Sequence, residues 1–232
     1  MYWHFIGILT LGTLCSVVTF KGATWLYSKL KTPFANPLLV SAAILILLLL
    51  VTDIPLEEYE SGTVAISFFL GPATVALAYS VYIQWNLLRE NFIPICAGCL
   101  VGSLVSMTSA YFLCEALGLG DNLALSFVPK SVTMPIALTV TQQLGGTAAI
   151  TVAAVIVTGI LGAILSPMLV KIFRIKNPIA TGIAIGTCSH AVGTTKAIEM
   201  GELEGAMSGV AIAVSGLLTT LIVVIARVCG GI

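Results

Sequence analysis

The sequence predicts an all-α fold: a polytopic transmembrane helical bundle with broken or re-entrant helices, forming one integral membrane domain over residues 1–232. Three observations predict it. Apolar residues make up 58% of the chain and charged residues only 9%, whereas soluble domains carry roughly a quarter charged residues. The apolar residues gather in runs close to the roughly 20 residues that a helix needs to cross the hydrocarbon core. Proline and glycine then interrupt several runs beside polar side chains, where a lipid-facing helix would stay regular.

Six runs have the length of a span: 4–28, 36–52, 61–84, 92–117, 147–172 and 205–227. Two more, 122–145 and 178–200, are apolar but interrupted. The charges lie between them. Lys21, Lys29 and Lys31 follow the first run, Asp53, Glu57, Glu58 and Glu60 the second, Arg89 the third, and Glu115 and Asp121 the fourth. Basic loops face the cytoplasm, so the N-terminus is expected outside and the loop 21–35 inside. The opening Met1-Tyr2-Trp3-His4 lacks the basic stretch of a cleavable signal, so the first run is expected to be retained.

Counting 122–145 as a crossing would place Lys171, Arg174 and Lys176 outside, against the charge rule. The conflict disappears if that segment enters and returns on one side. Pro129 and Pro135 favour this, since each removes a backbone donor. A broken helix crossing at 178–200 then leaves Glu202 and Glu204 outside and Arg227 inside. Trp3, Trp25, Tyr27, Tyr59, Tyr82 and Trp85 fall near span ends and read as interfacial anchors. Pro72-Ala73-Thr74-Val75 resembles Pro129-Lys130-Ser131-Val132, and each precedes a small-residue helix: Gly102-Ser103-Leu104-Val105-Ser106 in one case, Gly162-Ala163-Ile164-Leu165-Ser166 in the other. An internal repeat and a chance match of two apolar helices explain this equally well.

Several functions are not expected. The formal net charge is zero, so no nucleic-acid partner is anticipated. Cys15, Cys96, Cys99, Cys114, Cys188 and Cys229 lie mostly in apolar runs, and the one C-x-x-C has no second pair or histidine cluster. They read as packing residues, with no metal site, disulfide or cofactor. H-E-x-x-H, G-x-S-x-G and Walker-type motifs are missing, so no catalytic residues are assigned and an enzyme is not expected.

Three interruptions carry the candidate substrate-binding residues. Around Leu70-Gly71-Pro72-Ala73-Thr74, a Gly-Pro step frees carbonyls, which makes Pro72 and Thr74 candidates; a simple packing kink is the alternative. In Val128-Pro129-Lys130-Ser131-Val132-Thr133-Met134-Pro135, Lys130 sits deep in an apolar stretch. A lysine at a helix centre costs roughly 2.5–3.5 kcal/mol on insertion scales, a cost offset by a wet cavity, a carboxylate or a ligand. Snorkelling is the alternative for Lys130, and bonding to their own backbone the alternative for Ser131 and Thr133.

The third interruption, Gly186 to Glu199, contains Ser189, His190, Gly193, Thr194 and Thr195. Gly193 and the two threonines are expected to open a new half-helix whose N–H groups face an anion. Lys196 and Glu199 are spaced to pair, and His190 titrates near neutral pH, so His190 and Glu199 are the proton-coupling candidates. A solvated polar surface is the alternative. Gly98-x-x-x-Gly102, Gly182-x-x-x-Gly186 and Gly205-x-x-x-Gly209 are expected to bring helices close. The residues themselves therefore describe a transporter-like or pore-like protein with an anion-suited polar centre.

At these motifs the chain resembles the LrgB/CidB family of holin/antiholin-like membrane proteins, essentially end to end. The resemblance rests on Asn36-Pro37-Leu38-Leu39, Pro72 to Ala78, Pro129 to Ala137, Ser189-His190-Ala191-Val192-Gly193-Thr194, and Glu199 through Glu204-Gly205-Ala206. It looks most like the inner-membrane branch of Gram-negative bacteria, which implies a multi-pass protein of the bacterial inner membrane. One departure is Ser80, where the family commonly has proline. The resemblance implies two functions. One is control of murein hydrolase export and lysis beside a small LrgA/CidA-type partner. The other is carriage of small carboxylates such as pyruvate, glycolate or glycerate. The carrier is the preferred expectation, because a pore has little use for three furnished backbone breaks. A homo-oligomer is also expected.

Overall fold

A computed structural model describes residues 2–30, 32, 35–69, 71–72, 75, 79, 82–83 and 85–230, with side chains from residue 12 onward. Among them the secondary structure is helical, without strands. The chain divides into two compact units, Met1–Ala76 and Leu77–Ile232.

The first unit holds α1 (Tyr2–Leu30), α2 (Pro37–Thr52), α3 (Leu56–Gly62) and α4 (Val64–Phe68). Helix α1 runs through Lys21 and Lys29, so the expected loop 21–35 is wrong at its start. The physical reason is Pro33, the first residue in the region that disfavours helix in the residue before it. Helix α2 begins at an Asn-Pro step: the Asn36 side chain accepts from the Leu38 N–H at 2.9 Å, and Pro37 lacks the donor that would otherwise be orphaned. Helices α1 and α3 touch where Thr13 Oγ1 donates to the Gly62 carbonyl at 2.9 Å. A Cβ on Gly12 would lie 2.9 Å from the Gly62 carbonyl carbon, so glycine is needed there.

The expected continuous span 61–84 is also corrected. It starts as two short helices parted at Thr63, whose hydroxyl and N–H both donate to the Glu60 carbonyl and close α3. Pro72 is helical and exposed. Thr74 lies outside the described residues.

The second unit holds α5 (Trp85–Glu90), α6 (Phe92–Ala116), α7 (Asp121–Phe127), α8 (Met134–Leu144), α9 (Ala148–Ile172), α10 (Pro178–Met200) and α11 (Glu202–Val228). Helices α6, α9 and α11 are long and apolar enough to cross a membrane. They also expose large apolar side chains, including Val101, Phe112, Leu113 and Leu217, as helices facing lipid do.

Helices α7 and α8 have 7 and 11 residues, about 10 and 16 Å at 1.5 Å per residue. Neither reaches the ~30 Å of the hydrocarbon core. Their far ends are tied together. Asn122 Nδ2 donates to the Gly145 carbonyl at 3.0 Å, Thr147 Oγ1 to Asn122 Oδ1 at 2.7 Å, and the Thr147 N–H to Ser126 Oγ at 2.7 Å. The segment 122–145 is thus a hairpin that returns to where it began, with Pro129 to Thr133 at its tip, as the charge argument requires.

Helix α10 runs beside α6, α9 and α11, and small residues let it do so. A Cβ on Gly102 would lie 2.7 Å from Thr187 Cγ2, and one on Gly182 would lie 2.7 Å from Met207 Cβ. Between α6, α10 and α11 sits a core of Ile95, Cys99, Ile183, Met207, Val210 and Ala211. The third glycine pair is only half used: Gly205 abuts Ile198, while Gly209 faces open space.

Candidate functional site

Pro129 at the hairpin tip and Pro135 in the first turn of α8 flank Lys130, so the helix of α7 does not continue through the tip. The backbone leaves the helix after Phe127 and re-enters at Met134. This turn delivers Lys130 and Ser131 to the face of α6. Lys130 Nζ donates to Ser106 Oγ at 2.9 Å and to Ser131 Oγ at 3.2 Å, and the two hydroxyls bond each other at 2.7 Å. Among the described residues no carboxylate pairs with Lys130; the ion pair present joins Lys196 and Glu199. An ammonium has three donors, and two of them are spent on hydroxyls. The cluster therefore keeps one N–H and one O–H to offer.

Thr133 stands at the N-cap of α8 without a side-chain cap bond. The start of α8 adds the partial positive charge of unsatisfied N–H groups next to the lysine.

The second break lies in α10, whose Thr187, three residues before the break, approaches the same place. A cavity of about 10 Å³ is lined by Ser103, Ser106, Pro129, Ser131, Thr187 and Thr219, together with apolar neighbours. That is near the minimum for a single water, so the cavity itself is too small for an organic anion. Thr187, from α10, donates to Cys99 Sγ at 3.4 Å.

Three residues later the helix breaks, at His190, with φ 42° and ψ −144°. Such angles are rare for a residue with a Cβ and cost of the order of 1–3 kcal/mol. The expectation that Gly193 opens the half-helix is thus corrected: Gly193 is helical and buried, and a side chain there would run into Ser189. Packing against α9 fixes the break instead. His190 Nε2 donates to the Val155 carbonyl at 2.9 Å, and a Cβ on Gly159 would lie 2.6 Å from His190 Cε1. Thr194 Oγ1 donates to the His190 carbonyl at 2.9 Å, and bonds Ser208 Oγ at 2.7 Å.

The remaining candidates sort by place. Ser189 is buried against Gly162 of α9, one residue from the break. Thr195 is exposed and donates to the Val192 carbonyl of its own helix at 2.7 Å. Glu199 is exposed and pairs with Lys196 at 2.7 Å. Pro72 belongs to the first unit. The structure bonds Lys130 to Ser131 and Ser106 and gathers those two serines around one small cavity with Ser103, Thr187 and Thr219; sequence reasoning had not assigned Ser103, Ser106, Thr187 and Thr219 to the site. A weak signal existed for Ser103 and Ser106: they lie three apart on one face of α6.

Comparison with known proteins adds a consistent result. The model of the LrgB-like family matches residues 16–228. Among similar proteins, antiholin-like protein LrgB of Bacillus mycoides (strain KBAB4) is 37% identical over 213 residues, covering 91% of this chain and 93% of that protein. The uncharacterized proteins YxaC and YwbG of Bacillus subtilis (strain 168) are 38% and 37% identical over 205 and 215 residues, covering 88% and 93% of this chain and 89% and 95% of theirs. No solved structure matches the chain.

Proposed function

This chain belongs to the LrgB-like family, and we propose that it carries small carboxylate anions across the bacterial inner membrane. One observation carries the reading: Lys130, which no carboxylate pairs among the described residues, is held by two hydroxyls that line one small cavity with Thr187 of the broken helix α10. In a low-dielectric surround such an ammonium attracts a carboxylate far more strongly than it would in water. Broken helices around a polar centre are the usual construction of secondary transporters. The closed cavity fits an occluded form, and the hairpin, anchored by its ends, is the element whose tip must move to admit a substrate. Proton coupling belongs to the same proposal. His190, buried beside the break, suits that role better than exposed Glu199.

A second reading has the relatives' names on its side. Relatives are called antiholin-like protein LrgB, which supports a membrane protein that modulates lysis and murein hydrolase export with an LrgA-type partner. The names favour this reading over the carrier; the chemistry of the lysine site favours the carrier. Flux through liposomes containing the purified protein separates them. Saturable uptake that discriminates pyruvate, glycolate and glycerate supports the carrier, and leakage limited only by size supports the pore-type role.

A further inference from the structure

The first unit contains a separate cavity of about 560 Å³, within the ~300–1,000 Å³ range of small-molecule sites. We propose that this groove binds an anionic phospholipid, with the phosphate on Lys21 and an acyl chain along Val17, Phe20, Leu45 and Ile66.

Three observations support the assignment. The walls are apolar: Val17, Phe20 and Ile66 are 45%, 48% and 41% exposed, and all three line the groove beside Leu45. Four hydroxyls of the groove are already bonded. Ser16 Oγ bonds Tyr59 OH at 2.7 Å, Ser41 donates to the Leu38 carbonyl at 3.2 Å, and Thr63 to the Glu60 carbonyl at 3.0 Å. Lys21 is the charged residue of the lining, and among the described residues no hydrogen bond or ion pair engages its ammonium. The groove therefore presents apolar surface with one uncompensated cation, the complement of an anionic amphiphile.

Depth points the same way. Lys29 Nζ lies 4.2 Å over the Trp25 ring, a pair suited to the headgroup interface. Lys21 precedes Trp25 by one turn of α1, about 6 Å at 1.5 Å per residue, which sets its ammonium at the level where lipid phosphates meet the acyl chains.

Native mass spectrometry tests this on protein reconstituted with equal parts phosphatidylglycerol and phosphatidylethanolamine. Wild type is expected to retain phosphatidylglycerol selectively. Lys21→Gln should lower that preference about fivefold, in line with one interfacial basic residue, and Lys21→Arg should keep it. Val17→Trp, which fills the groove and leaves the charge, should reduce retention of both lipids and serves as the second readout if Lys21→Gln folds poorly by circular dichroism. Equal retention of the two lipids by wild type overturns the proposal, as does a preference unchanged in both Lys21→Gln and Val17→Trp. A dimer that forms without any lipid adduct, and that Val17→Trp separates, would also overturn it by making the groove an interface between copies.

Discussion

Lys130 and Ser106, on separate elements and 24 positions apart, are joined by a 2.9 Å hydrogen bond from ammonium to hydroxyl. The contact exists because the hairpin tip turns at Pro129 just where α6 presents a serine. Removing that hydroxyl leaves the lysine with Ser131 alone. Hydrogen bonds to charged groups contribute about 1.5–3 kcal/mol, so Ser106→Ala should weaken carboxylate binding roughly tenfold or more. Ser109→Ala is the control, because that hydroxyl is exposed and bonds the Ser106 carbonyl of its own helix. The check is the concentration dependence of uptake.

The hairpin is held to α9 through Thr151, whose hydroxyl donates to the Ser126 carbonyl at 2.9 Å and bonds Thr141 at 2.7 Å, all of it buried. Thr151→Val leaves those groups without their partner, which should cost about 1–3 kcal/mol. Hydrogen exchange should then quicken across residues 122–147 more than in α11.

At His190 the backbone conformation and the side chain act in opposite senses. Alanine there loses the bond to Val155 and keeps the strained angles, while glycine loses the bond and removes the strain. His190→Gly should therefore be more stable than His190→Ala by about 1 kcal/mol. Thermal denaturation in detergent measures the difference. The same two variants, with Glu199→Gln, test proton coupling: uptake driven by an imposed pH gradient should fall when His190 is replaced. Undiminished uptake in both His190→Ala and Glu199→Gln would exclude this segment from coupling.

Close approach by α10 makes a further contrast. A Cβ on Gly186 would press on the Ser208 carbonyl and lie 2.9 Å from Ala211 Cβ, whereas Gly209 faces open space. Gly186→Ala should destabilise by about 1–3 kcal/mol through overpacking. Gly209→Ala should be neutral or stabilising by up to about 1 kcal/mol. Comparing the two melting temperatures checks this.

What the sequence made legible follows from how local each signal is. Pro129 and Pro135 disclose the hairpin because a missing donor acts within one turn. The structure adds two helix starts of the same local kind, Asn36-Pro37 and Asn177-Pro178, each asparagine accepting from an N–H two residues on. Lys130 stands out because a charge deep in an apolar run is costly wherever it lies. The break at His190 was not legible. Gly193 has the local look of a helix start, but the real break is set by Val155 and Gly159 of another helix. Ser106 and Thr187 were missed similarly, since a serine or threonine in a membrane helix looks the same whether it bonds its own backbone or a distant lysine.

The central claim, that Lys130 supplies the positive charge that selects an anionic substrate, is tested most directly by uptake into liposomes containing purified, correctly folded Lys130→Gln protein. Glutamine keeps much of the side-chain volume and some donor capacity and removes the charge. The account predicts carboxylate affinity about 10- to 100-fold weaker than wild type, the loss of one charge-assisted contact, with partial recovery in Lys130→Arg, whose fork fits the two serines less well. Wild-type affinity in Lys130→Gln would contradict it.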